Sequence, residues 1–133
     1  MKKIIILFIL LLTGCSNKLY DEYVTLLKNT NIMNEELPFD IKFYIDSVND
    51  ERIIYEVIIE NSKINLNNVR ALVIHDSDST DIYPSIGILD DVTKLNEENK
   101  GIILIGYTSK RENINFKVLV ESGDNKYFYR YNY

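Results

Sequence analysis

Residues 39–61, FDIKFYIDSVNDERIIYEVIIEN, change face at every step. Phe39, Ile41, Phe43 and Ile45 alternate with Asp40, Lys42, Tyr44 and Asp46, a period of two that places each set on its own side of a strand. After Asn49-Asp50 the alternation resumes, with Ile53, Tyr55, Val57 and Ile59 on one face and Ile54, Glu56, Ile58 and Glu60 on the other. Two such runs across a short polar turn read as a β-hairpin.

Outward from this hairpin, VRALVIHD (69–76), GIILIGYT (101–108), INFKVLVE (114–121) and KYFYRYNY (126–133) repeat the pattern, the last two joined by the turn SGDN. A short strand near 83–89 brings the count to about seven. Many short strands between turn residues over 39–133 predict an all-β domain, an antiparallel sandwich of the immunoglobulin or fibronectin type III sort. The chain has no Trp and a single Cys, so the expectation rests on strand number and spacing. Pro84 and Gly87 are expected to shape a crossing between the sheets. Ahead of the sandwich, residues 15–38 read as a spacer. Within it Tyr20, Tyr23, Val24 and Leu27 fall at helical spacing and predict a short helix over 19–28 that can dock on the domain. As free chain the spacer would reach about 25–30 Å.

The N-terminus carries a different message. MKKIIILFILLLTGCSN (1–17) opens with two lysines and an apolar run, Ile4 to Leu12, that is far short of the about 20 residues a spanning helix requires. This is the grammar of a secretory signal peptide over 1–14. Leu12-Thr13-Gly14-Cys15 resembles the lipobox of bacterial lipoproteins. The resemblance implies cleavage between Gly14 and Cys15, diacylglycerol on the Cys15 thiol, and anchorage at the extracytoplasmic face of a bacterial membrane. Two acyl chains suffice for durable anchoring where one does not. The segment 67–91 with KGIILIGYT and INFKVLV is also similar to a family of small Firmicutes lipoproteins. That similarity covers roughly residues 52–121 and is most specific at Tyr83-Pro84-Ser85-Ile86-Gly87-Ile88 and Lys100-Gly101-Ile102. It implies the same location and a single domain, and brings no function with it.

Cys15 is the only cysteine, so once lipidated it leaves no thiol for a disulfide, a metal cluster or a nucleophile. The formal charge is −5, and loss of Lys2 and Lys3 with the signal takes the mature chain to −7 before its N-terminus is counted. Such a surface is a poor partner for nucleic acid or anionic headgroups.

Three groups of residues are candidate sites. Asp76, Asp78 and Asp81, interleaved with Ser77, Ser79 and Thr80, offer the hard oxygen ligands that Ca²⁺ takes, but without EF-hand spacing; a solvated loop is the alternative. His75, the only histidine, beside Asp76 is the one foothold for a small metal-assisted hydrolase. No nucleophile elbow or zinc-protease motif accompanies it, so His75 is expected at the rim and the chain is expected not to be an enzyme. Tyr127, Tyr129, Tyr131 and Tyr133 occupy alternate positions and share a face. They read either as a binding platform for glycan or peptide or as cross-strand packing, and packing is favoured. A loop around Tyr83 and Ser85 is open to either a shaping or a binding role. Together these features predict a lipid-anchored binding or assembly module of the cell envelope, with an envelope protein or glycan as partner and no cofactor beyond the lipid. An accessory lipoprotein that blocks a toxin or phage shares every one of them.

Overall fold

A computed structural model describes residues 18–76, 82–86, 93–96, 98 and 100–133. The segment 1–14 expected to be a signal peptide, Cys15, Asp78, Asp81 and Gly87 lie outside them. Among the described residues one helix, α1 (Lys18–Asn29), precedes eight strands: β1 (Asp40–Ser47), β2 (Arg52–Glu60), β3 (Leu66–Asp76), β4 (Ile82–Ile86), β5 (Thr93–Leu95), β6 (Gly101–Ser109), β7 (Asn115–Ser122) and β8 (Asn125–Asn132). They form two antiparallel sheets, one ordered β1-β2-β6 and the other β4-β3-β7-β8 with β5 also paired to β3. The all-β sandwich expected from the alternation is present, with one strand more than expected.

Alternation explains the packing. From the three-stranded sheet Ile53, Tyr55, Val57, Ile59, Ile102 and Leu104 point inward; Val69, Ala71, Val73, Phe116, Val118 and Val120 meet them from the other. Each is buried, so the layer between the sheets is almost wholly apolar. The strands β3 and β7 also carry apolar residues on their second face. There Leu72, Ile74 and Leu119 pack under Tyr23, Val24 and Leu27 of α1, with Phe128 and Tyr20 at the margin. The predicted spacer helix is thus a third layer, seated on the five-stranded sheet.

Polar contacts fix the helix at its middle and at its C-terminal end. The hydroxyl of Tyr23 donates to Glu121, whose carboxylate also lies 3.5 Å from Lys126 Nζ. At the C-terminal end Lys117, buried on β7, donates from Nζ to the carbonyls of Leu27 (3.3 Å), Lys28 (3.0 Å) and Thr30 (3.0 Å). Those carbonyls lack intrahelical donors, and a cation beside them also meets the negative end of the helix dipole. Burial, and secondarily Arg130, lower the pKa of this lysine.

Turns and irregularities follow residue chemistry. Asn49 Oδ1 accepts from the backbone N–H of Glu51 (2.8 Å) and Arg52 (2.9 Å), closing the first hairpin. Gly123 opens the β7–β8 turn at φ +59° while Asp124 keeps negative φ, the pattern of a II′ turn. Strand β3 starts three residues before the expected Val69 because Asn68, at φ 51°, accommodates a register shift against β5. Pro84 does not mark a crossing between sheets. It lies on the edge strand β4, where pairing with β3 jumps from Val73↔Ile86 to Ile74↔Pro84, a bulge of the kind proline tolerates. The opposite edge is partly covered, since Asn34 donates its N–H to Phe128 O (3.1 Å) and accepts from Phe128 N (2.6 Å) on β8.

Candidate functional site

The acidic end of β3 is built as a structural clasp. The Asp76 carboxylate accepts from the Asn115 backbone N–H (2.8 Å), from Asn115 Nδ2 (2.9 Å) and from the Arg111 guanidinium, which also donates to the Asp76 carbonyl (2.6 Å). The clasp ties β3 to the segment entering β7. A calcium ion at Asp76 would have to displace these donors, and among the described residues no three His, Cys, Asp or Glu side chains converge on a metal position.

His75 and Asp76 are neighbours in a strand and so project from opposite faces. The His75 ring turns toward the space between the sheets, half-buried, with Nδ1 3.3 Å from the Tyr55 hydroxyl and its ring edge-on to Tyr55 and Phe116. Burial first, and the positive charge of Arg111 second, lower its pKa below the ordinary 6.5, against a smaller opposing effect of Asp76. The imidazole is therefore neutral in the fold at pH 7. The unfolded chain takes up this proton before the folded one, so the stability due to neutral His75 is complete above about pH 6.5 and declines as pH falls from there toward the lowered folded value. Urea unfolding between pH 7.5 and pH 5 should show the native chain losing stability relative to His75→Asn. Parallel profiles would mean that His75 is not desolvated.

Three of the four row tyrosines are packing residues. Phe43 stacks on Tyr131 at 4.4 Å between ring centroids and on Tyr129 at 6.2 Å, and Phe39 meets Tyr127 edge-on at 5.3 Å. These contacts close the sandwich where β1 lies over β8. Tyr133 stands beyond the end of β8, its main chain paired with Ile114 and its ring exposed. The row does not present a four-ring platform.

A different surface remains open. On the outer face of the three-stranded sheet the register aligns Asp46, Ile54 and Tyr107, then Tyr44, Glu56 and Ile105, then Lys42, Ile58 and Ile103. Tyr44, Ile103, Ile105 and Tyr107 are more than half exposed. Lys42 is bound to Glu60 at 2.5 Å, which raises the lysine pKa chiefly through that hydrogen bond. Glu56 sits between Tyr44 and Ile105, neither of which carries charge. The sequence held the signal for this face: β2 and β6 carry apolar residues at both odd and even positions, as does β3, yet only β3, with Leu119 of β7, is covered by α1. A shallow cleft beside α1 is lined by Glu22, Tyr23, Leu26 and Lys126.

No protein-family model matches the chain, and no curated protein or solved structure matches it either.

Proposed function

We propose that this protein is a lipid-anchored binding module on the extracytoplasmic face of a bacterial membrane, and that the open face of its three-stranded sheet is its binding surface. The observation that carries the reading is that face: an exposed apolar area on a sandwich whose other outer face is already covered by α1. Contiguous apolar exposure of this kind marks interaction surfaces. The anchor rests on Leu12-Thr13-Gly14-Cys15 behind the charged and apolar start of the chain. Only Ser16 and Asn17 separate Cys15 from α1, and each residue spans at most about 3.6 Å, so a docked helix holds the body close to the headgroups. The open face lies on the side of the sandwich away from that helix.

Strand connectivity supports an immunoglobulin-like reading. Strand β2 pairs with β6, and β7 lies between β3 and β8, as B pairs with E and F lies between C and G in that fold. A binder rather than an enzyme is also the better reading of β3, since its only histidine and the adjacent aspartate point apart.

Changing Cys15 to Ala should abolish incorporation of labelled palmitate and leave either an uncleaved precursor of higher mass or a released species. Unchanged fractionation and unchanged mass would remove the anchor from this proposal.

A further inference from the structure

We propose that the open sheet face docks a cationic amphipathic polypeptide segment. This deepens the binding-module reading and rests on it. Four observations select the occupant. The face offers Ile54, Ile58, Ile103, Ile105, Tyr44 and Tyr107 as an apolar field on a rigid ladder, which suits the apolar side of a peptide rather than a small polar ligand. Its charges are Asp40, Asp46, Glu56 and Glu60 against Lys42 and Arg52, with Lys42 already held by Glu60, so the balance is acidic. Glu56 occupies the middle of the apolar field, where a docked cation would meet a carboxylate shielded from water. Finally, the mature chain carries −7, and a second copy laid face to face would bring like charges together. A copy satisfies the apolar field but not its charge; a basic partner satisfies both.

The apolar and acidic parts make separable contributions. Removing apolar anchors from the centre of an interface weakens binding strongly, whereas removing one carboxylate weakens it less and in a salt-dependent way. The full chain in detergent micelles, titrated with a fluorescent Leu/Lys amphipathic peptide of about 18 residues, should raise the peptide's anisotropy beyond the value with empty micelles, since such a length forms a helix able to lie across three strands. Ile103→Ser with Ile105→Ser should weaken this binding about tenfold or more, because the two exposed isoleucines of β6 are a large part of the apolar field. Glu56→Gln should weaken it about threefold to tenfold and flatten its dependence on salt. Circular dichroism that stays native in these variants ties the loss to the surface. An affinity unchanged by either variant overturns the proposal, as does a peptide signal no larger than that of empty micelles. Sedimentation showing a dimer of the full chain that the isoleucine pair dissolves would also overturn it, assigning the face to a second copy. Palmitate labelling of Cys15 is read independently, so failure at this face is distinguishable from failure of the anchor.

Discussion

Tyr55→Ala is expected to lower the unfolding free energy by about 3–5 kcal/mol, the range for deleting a fully buried aromatic ring. Tyr55 has no solvent exposure, crosses Phe116 edge-on at 4.8 Å and carries its hydroxyl to His75. Its size is accommodated by a glycine. Gly106, its ladder partner on β6, lies beneath the ring, and a methyl group there would come within 2.5 Å of the Tyr55 Cζ and Oη atoms. The ring is held against Phe116 and His75, so relief by rotation is limited. Gly106→Ala should therefore cost about 1–3 kcal/mol by overpacking, although glycine in a strand interior ordinarily weakens it. The contact can be isolated by a cycle. In a Tyr55→Leu background the space above residue 106 is free, and Gly106→Ala should become nearly neutral. Urea unfolding of the four proteins measures the coupling, and single costs that add to within about 0.5 kcal/mol would show that ring and glycine do not touch.

Most of this architecture was legible because alternation is a direct consequence of strand geometry. The inward set Ile53, Tyr55, Val57 and Ile59 follows from a period of two, and so does the inward turn of Tyr127, Tyr129 and Tyr131. What periodicity does not supply is the partner of each face. Ile54 and Ile58 on β2 carry the same signal as Leu72 and Ile74 on β3, but one pair faces solvent on the open sheet and the other is covered by α1, a distinction set by which sheet the helix chooses. The polar residues were misleading for a related reason. Adjacency in HDSDSTD suggested that His75 and Asp76 act together, whereas a strand separates neighbours to opposite faces and hands Asp76 to Arg111 and Asn115, far along the chain. Lys117 shows the same limit. In sequence it alternates with apolar residues as a solvent-facing lysine would, and only the docked helix explains its burial.

That docking sets the second large expected effect. Leu27 is 1% exposed and fills the space over Leu72, Ile74 and Leu119, so Leu27→Ala should cost about 2–5 kcal/mol of the free energy that holds α1 to the sheet. Lys117→Met keeps most of the stem but withdraws three donors from the carbonyls of Leu27, Lys28 and Thr30. Leaving such acceptors short costs about 1–3 kcal/mol, offset in part because a buried ammonium is no longer desolvated. Leu27→Ala should thus exceed Lys117→Met. Both should act first on α1 rather than on the sandwich, whose inter-sheet layer is independent of the helix. Amide exchange would then accelerate across residues 18–29 while β2 and β7 stay protected, and a dye that binds apolar surface would report the uncovered Leu72, Ile74 and Leu119. With the anchor proposed at Cys15, the same undocking would lengthen the tether from two residues to the whole stretch ahead of β1 and free the body from the headgroups. Unchanged exchange over α1 in Leu27→Ala, with a stability loss under about 1 kcal/mol, would show that the helix is not held by this contact and that the tether is long from the outset.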